Sequence, residues 1–172
     1  MDMKNKVRIL GVITNIEADK GTIVCEHRLG AHDIIPFQAD EMKLKSIRIN
    51  DKVNSQGKFV NGVLELKIIE HTDNETLEIN NVEIEGYLCA DPYIKHLPYG
   101  DCVAEFVVAQ DGNYIPCIAW GTLALDMEAY TVGARLSLIG KLQQRTYPVR
   151  EDGEVVTYKK CVEVRALRIR PI

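Results

Sequence analysis

Tyr114 and Trp120 bracket the run Tyr114-Ile115-Pro116-Cys117-Ile118-Ala119-Trp120. If the run is a strand, alternation sends Tyr114, Pro116, Ile118 and Trp120 to one face and Ile115, Cys117 and Ala119 to the other. The smaller set suits a tight interior, which turns the rings outward. There they could stack on unpaired bases, at about 1–3 kcal/mol per base and without regard to sequence. Downstream, Lys141, Arg145, Arg150, Lys159 and Lys160 interleave with Tyr147 and Tyr158. Cations for phosphates beside rings for bases are what a single nucleic-acid strand requires. Both patterns have a plainer reading. The two rings equally fit packing against a neighbouring module or subunit, and charged hairpin tips are commonplace.

Nothing else in the chain carries reaction chemistry. There is no phosphate-cradling Gly-Lys-Ser/Thr loop, no G-x-S-x-G and no H-E-x-x-H. Glu83 and Glu85 alternate onto the outward side of a strand, a solvated pair rather than an acid–base pair. Cys25, His27, His32 and Asp33 cluster in sequence but fit no zinc spacing. The chain therefore reads as a binding protein rather than an enzyme, with no metal or cofactor. The five cysteines are odd in number and contain no C-x-x-C pair, which favours a reducing compartment. With no apolar leader and no bilayer-length apolar run, the expectation is a cytoplasmic protein away from membranes.

The net charge of −4 argues against indiscriminate binding of polyanions, yet the charge is unevenly placed. Residues 83–128 hold eight acids and one base, Lys95, whereas residues 135–172 hold nine bases and four acids. Such an average can hide a basic groove.

The elements that must position these side chains occur twice. Val7-x-Ile9-x-Gly11-x-Ile13 recurs as Val82-x-Ile84-x-Gly86-x-Leu88, offset by 75. Ile35-Pro36-x-x-Ala39 recurs as Ile115-Pro116-x-x-Ala119 at offset 80, and Val53-x-x-x-Gly57-Lys58-Phe59 as Leu136-x-x-x-Gly140-Lys141-Leu142 at offset 83. Ordered matches with growing offsets predict a duplicated unit, residues 1–76 and 77–172, with insertions in the second copy. In the first copy, strands are expected near Val7–Glu17, Thr22–Glu26, Ile34–Ala39, Asp51–Val60 and Val63–Glu70, with a helix around Asp40–Lys45. In the second they fall near Val82–Leu88, Cys102–Ala109, Tyr114–Trp120, Arg135–Tyr147 and Val155–Ile169, with a helix at Thr122–Tyr130. Asn61-Gly62 predicts a tight hairpin, and residues 71–76 a short polar linker. Three strands, a short helix and two strands is the order of the OB-fold, so the expected fold class is all-β, two tandem five-stranded Greek-key barrels.

The copies control one another. At offset 80, Tyr114 becomes Ile34 and Trp120 becomes Asp40, and of eleven aromatic residues only Phe37 and Phe59 precede residue 81. The fold does not need rings at those places, which points to the second copy as the binding unit and the first as scaffold and interface; a divergent hydrophobic interface would give the same pattern.

Residues 81–172 resemble the bacterial single-stranded DNA-binding protein family. The resemblance rests on Asn81 to Leu88, Asp91-Pro92 through Lys95, Pro98-Tyr99-Gly100, Tyr114 to Ala124 and Gly133 to Tyr147. It implies non-catalytic binding of single-stranded DNA with little sequence preference, in DNA replication, repair and recombination. It carries the stacking aromatics onto Tyr114, Trp120 and Tyr147, and phosphate-contacting bases onto Lys95 and Arg145. Lys141, Lys159 and Lys160 complete the expected set of phosphate partners. A homodimer or higher homo-oligomer is implied as well, and single-stranded RNA is a further ligand to be tested. Three departures stand out. The loop Gln110–Asn113 is too short for the family's further loop aromatic. The sequence ends Arg168-Ile169-Arg170-Pro171-Ile172, without the acidic tip that recruits partners. The first copy lacks the stacking positions. The rival reading is an OB-fold interaction module that docks a replication, primosome or recombination partner on its aromatic face.

Overall fold

The computed structural model describes residues 3–26, 32–73 and 79–172. The expected border between the repeats, at residues 76–77, lies outside them, as does His27. Eleven strands dominate: β1 (Asn5–Glu17), β2 (Lys20–Glu26), β3 (His32–Ala39), β4 (Lys52–Val60), β5 (Val63–His71), β6 (Ile79–Leu88), β7 (Tyr93–His96), β8 (Cys102–Gln110), β9 (Asn113–Trp120), β10 (Arg135–Glu151) and β11 (Glu154–Pro171). The helix α1 (Glu41–Leu44) follows β3, capped by Asp40, whose side chain accepts from the Met42 backbone N–H. After β9 come α2 (Thr122–Asp126) and a turn of 3-10 helix at Met127–Ala129. Among the described residues, no helix is long and apolar enough to cross a membrane.

Alternation drives the strands. In β6, Val82, Ile84 and Leu88 are buried while Tyr87 is exposed, so one face joins the core and the other meets solvent. The pairings close twice. β1 pairs with β2 and β4, β2 with β3, and β3 runs parallel to β5, which returns to β4. β6 pairs with β8 and β10, β8 with β9, and β9 runs parallel to β11, which returns to β10. The order of pairing is the same in both rings. Each places a bulge before a glycine, at Gln56/Gly57 and at Ile139/Gly140. A Cβ on Gly57 would stand 2.0 Å from Glu65 O, and one on Gly140 2.2 Å from Arg165 O, so only glycine permits this close return of the last strand. The tight turn at Asn61–Gly62 has both residues at positive φ, +47° and +82°, as an Asn-Gly hairpin requires.

β7 is the element that pattern reading passes over. It is only four residues long and pairs solely with β8, between the two turns that flank it. Its register still matters, because it widens the outer face beside β9.

The rings are joined by one antiparallel pair, β1 with β6, in which Val7 lies opposite Val82, Asn5 opposite Ile84 and Ile9 opposite Asn80. Since Val7, Asn5 and Ile9 correspond to Val82, Asn80 and Ile84 at offset 75, the pairing has an internal two-fold centred on Val7 and Val82. The hydrogen bonds obey it. Asn5 donates to Phe59 O at 2.9 Å and accepts from Phe59 N–H at 2.9 Å. Asn80 donates to Leu142 O at 2.7 Å and accepts from Leu142 N–H at 2.9 Å. Gln110 extends the network, receiving a bond from Asn5 and donating to the carbonyls of Lys4 and Glu85. Lys4 Nζ lies 2.9 Å from Glu83 Oε2 across the same seam. That hydrogen bond from Lys4 holds the Glu83 carboxyl below its ordinary pKa, against the opposing effect of burial.

Asn5→Leu removes both partners of this clamp and leaves Phe59 N–H and Gln110 short of a bond. Unfolding in urea should show a loss of about 2–4 kcal/mol. The Lys4–Glu83 pair gives a pH signature. A carboxyl with a depressed folded pKa contributes stability above its unfolded pKa and loses it as the pH falls through the folded value. Lys4→Met removes that contribution, so acid melting curves of the variant should shift less between neutral and acidic pH than those of the parent.

Candidate nucleic-acid interface

β9 carries the expected rings on its outer face. Tyr114 is 62% and Trp120 38% exposed, one at each end of the strand. Six residues of extended chain put them about 20 Å apart. Pro116 between them is half-buried. Ile118 departs from the expectation of an exposed outer residue, at 2% exposure. It sits mid-sheet with Glu105 of β8 and Arg165 of β11 as register partners on either side. Flanked by two long side chains, it becomes the floor of the face.

Register extends the face across strands. Trp120 lies opposite Val103, and Val103 opposite Lys95, so Lys95 and Trp120 share one cross-strand row. Ile118 lies opposite Glu105, and Glu105 opposite Tyr93, giving a second row. Tyr93 is 65% exposed and belongs to the face, although its sequence context between two turns gave it no strand signal.

The β10–β11 hairpin supplies the other predicted side chains, and the structure divides them. Tyr147 lies opposite Lys159, and Thr146 opposite Lys160. Period-2 alternation therefore puts Lys159 on the face of Tyr147 and Arg145, and Lys160 on the reverse. Tyr147 is 38% exposed, and both lysines are exposed. Lys95, Lys159 and Lys160 present their charge to solvent.

Lys141 and Arg145 already have partners. Lys141 Nζ lies 3.0 Å from Asp33 Oδ2, which ties the second ring to the first. Arg145 Nη1 bonds Glu105 Oε1 at 2.7 Å. Its Nε lies 3.1 Å from Oε1 of Glu163, an ion pair without hydrogen-bond alignment. Glu163 is buried, and Gln143 donates to it at 2.8 Å. Partial burial works against the Arg145 charge, but the hydrogen bond to Glu105 and the charges of Glu163 and Glu105 outweigh it and push its pKa up. Nothing in local sequence signals this triad, because Glu105, Arg145 and Glu163 meet only through sheet register. It places two carboxylates on the aromatic face, so the local field there is less positive than the hairpin sequence suggests.

The cysteines of this region are unreactive in kind. Burial pushes the Cys117 thiol up strongly, helped by the charge of Glu163. Burial raises Cys89 and Cys161 as well. All three remain thiols at neutral pH. In the first ring, the buried Cys25 thiol points to the Leu10 and Ile79 carbonyls, and Asp33 is engaged by Lys141 and Asn80.

The chain has counterparts among known proteins. The Single-strand binding protein family matches residues 79–169. The chain belongs to this family. The single-stranded DNA-binding protein of Enterococcus faecalis is 30% identical over 105 residues, 54% of this chain and 56% of that protein. That of Mycobacterium tuberculosis is 34% identical over 106 residues, 52% of this chain and 62% of that protein. The chain thus spans less than two thirds of either relative. The match to the family falls on the half with the rings. Across its whole length, the chain shares its fold with the wild-type single-stranded DNA binding protein from Thermus aquaticus. The TM-score is 0.75 at 15% identity, covering 100% of this chain and 94% of that one. A deletion mutant of the same protein superposes with a TM-score of 0.73 at 17% identity.

Arg145→Met leaves Glu163 buried without its cation. Urea unfolding should register a loss of about 3 kcal/mol. The double variant with Glu163→Gln should recover most of that loss, because the stranded charge is then gone.

Proposed function

We propose that this family member binds single-stranded DNA with little sequence preference and without catalysis, through two tandem OB-type barrels at residues 1–76 and 77–172. The observation that carries the reading is the row geometry of the outer face. Exposed Tyr114 and Trp120 mark the two ends of β9, and Lys95 shares the row of Trp120. In this reading Tyr114, Trp120 and Tyr147 stack bases, and Tyr93 adds a further ring. Lys95, Lys159 and Lys160 neutralise phosphates. Arg145 serves chiefly to hold the face together and Lys141 to tie the two rings, since each is already engaged by a carboxylate. The stacking term is indifferent to base identity, and the phosphate term makes affinity fall with salt.

Titration with labelled oligo-dT, read by anisotropy and Trp120 fluorescence, tests this at low and moderate salt with duplex as competitor. The expected result is salt-sensitive binding that quenches Trp120 and resists duplex. Trp120→Ala should weaken it about tenfold or more. Oligo-U in the same assay reports whether ribose is accepted. Absence of binding at low salt would sink the reading. A Trp120→Ala protein that binds normally but loses self-association or a protein partner would transfer the aromatic face to docking.

A further inference from the structure

A groove of about 450 Å³ crosses the junction of the two rings, walled by Pro36 and Asn61 from the first and by Tyr114, Pro116, Gln144 and Lys160 from the second. Four of its lining residues form repeat-related pairs, Pro36 with Pro116 at offset 80 and Asn61 with Gln144 at offset 83. The groove therefore straddles the internal two-fold. Tyr114 and Lys160 break the symmetry. Tyr114 stands where the first copy has Ile34. Lys160 sits on hairpin length that the first copy lacks, since β10 and β11 have 17 and 18 residues against nine each in β4 and β5.

The wall from the first ring is preformed. Asn61 N–H donates to Asn113 Oδ1 at 2.7 Å, and Asn113 Nδ2 donates to Phe59 O at 2.8 Å. These bonds pin the Asn61–Gly62 turn to the residue immediately before Tyr114. A strand leaving the β9 face past Tyr114 thus meets a rigid groove rather than open solvent.

We propose that this groove is a nucleotide subsite through which the bound single strand passes from the second ring onto the first. The proposal rests on the reading of the aromatic face given above. The rings of Pro36 and Pro116 offer apolar surface for a base. The amides of Asn61 and Gln144 present both donors and acceptors, so either kind of base edge finds a partner. Lys160, turned to this side of the hairpin, supplies charge for a phosphate. The aromatic-poor first ring then takes part in binding without a stacking ring of its own.

The test uses two first-ring variants that leave the β9 face untouched. Pro36→Glu puts a carboxylate into the groove. Asn61→Asp does so at its rim and keeps a residue that tolerates the positive-φ turn. Affinities are measured for a short oligo-dT that covers the β9 strip and for one several nucleotides longer, with thermal melts to confirm folding. The parent should bind the longer oligonucleotide more tightly. Each folded variant should lose about tenfold on the longer one, while matching the parent in short-oligonucleotide affinity and Trp120 quenching. If Pro36→Glu fails to fold, Asn61→Asp decides. Unchanged affinity for the longer oligonucleotide, or equal losses on both, would overturn the subsite alone. Failure of the parent to bind either would overturn the single-strand reading with it.

Discussion

The side-chain amides of Asn5 and Asn80 are the constraint on which the arrangement depends. Each presents a donor and an acceptor to one backbone residue of a neighbouring strand, Phe59 or Leu142, and so stands in for a peptide group. The device continues the β1–β4 and β6–β10 ladders past the last backbone pairs Val7–Gly57 and Val82–Gly140. Without it, backbone groups at the seam would be buried with no partner, at a cost comparable to a large share of a small domain's stability. The apolar core runs through both rings as one cluster. The polar clamps set the register in which the halves meet, because a hydrogen-bonded amide tolerates far less slippage than an apolar contact.

From that register follows the layout of the aromatic face. The two-fold puts the start of β9 beside the β4–β5 turn, which is why Asn113 can hold Asn61. It also sets Asp33 beside Lys141. Asn113 and Asp33 hold corresponding places at offset 80, but their partners do not correspond, since Asn61 matches Gln144 and Lys141 matches Lys58. One makes a neutral amide clamp and the other an ion pair. The asymmetry concentrates rings on one half while both halves remain braced against each other.

Electrostatics on the aromatic face is more balanced than composition implies. Arg145 bridges Glu105 and the buried Glu163, so a prominent hairpin cation is largely neutralised in place. The remaining positive charge is carried by half-buried Arg165 within the face and by exposed lysines at its edge and on the projecting hairpin.

Alternation of apolar residues, turn dipeptides and a repeat with growing offsets made most strands legible, because each is a local property of a half-buried strand. Tyr114 and Trp120 facing outward follow from the same period. β7 escaped because four residues hold too little pattern, and it exists only through pairing with β8. Ile118 reads as an outer residue and is one, but its burial depends on Glu105 and Arg165 arriving from other strands. Local pattern was enough to place the rings, the asymmetry between the copies and every strand except β7. Tertiary structure alone decided which cations are spent on carboxylates, which face each hairpin lysine occupies, and that a groove forms where the repeats meet. Those features arise from contacts between residues far apart in the chain, whose register no local pattern encodes.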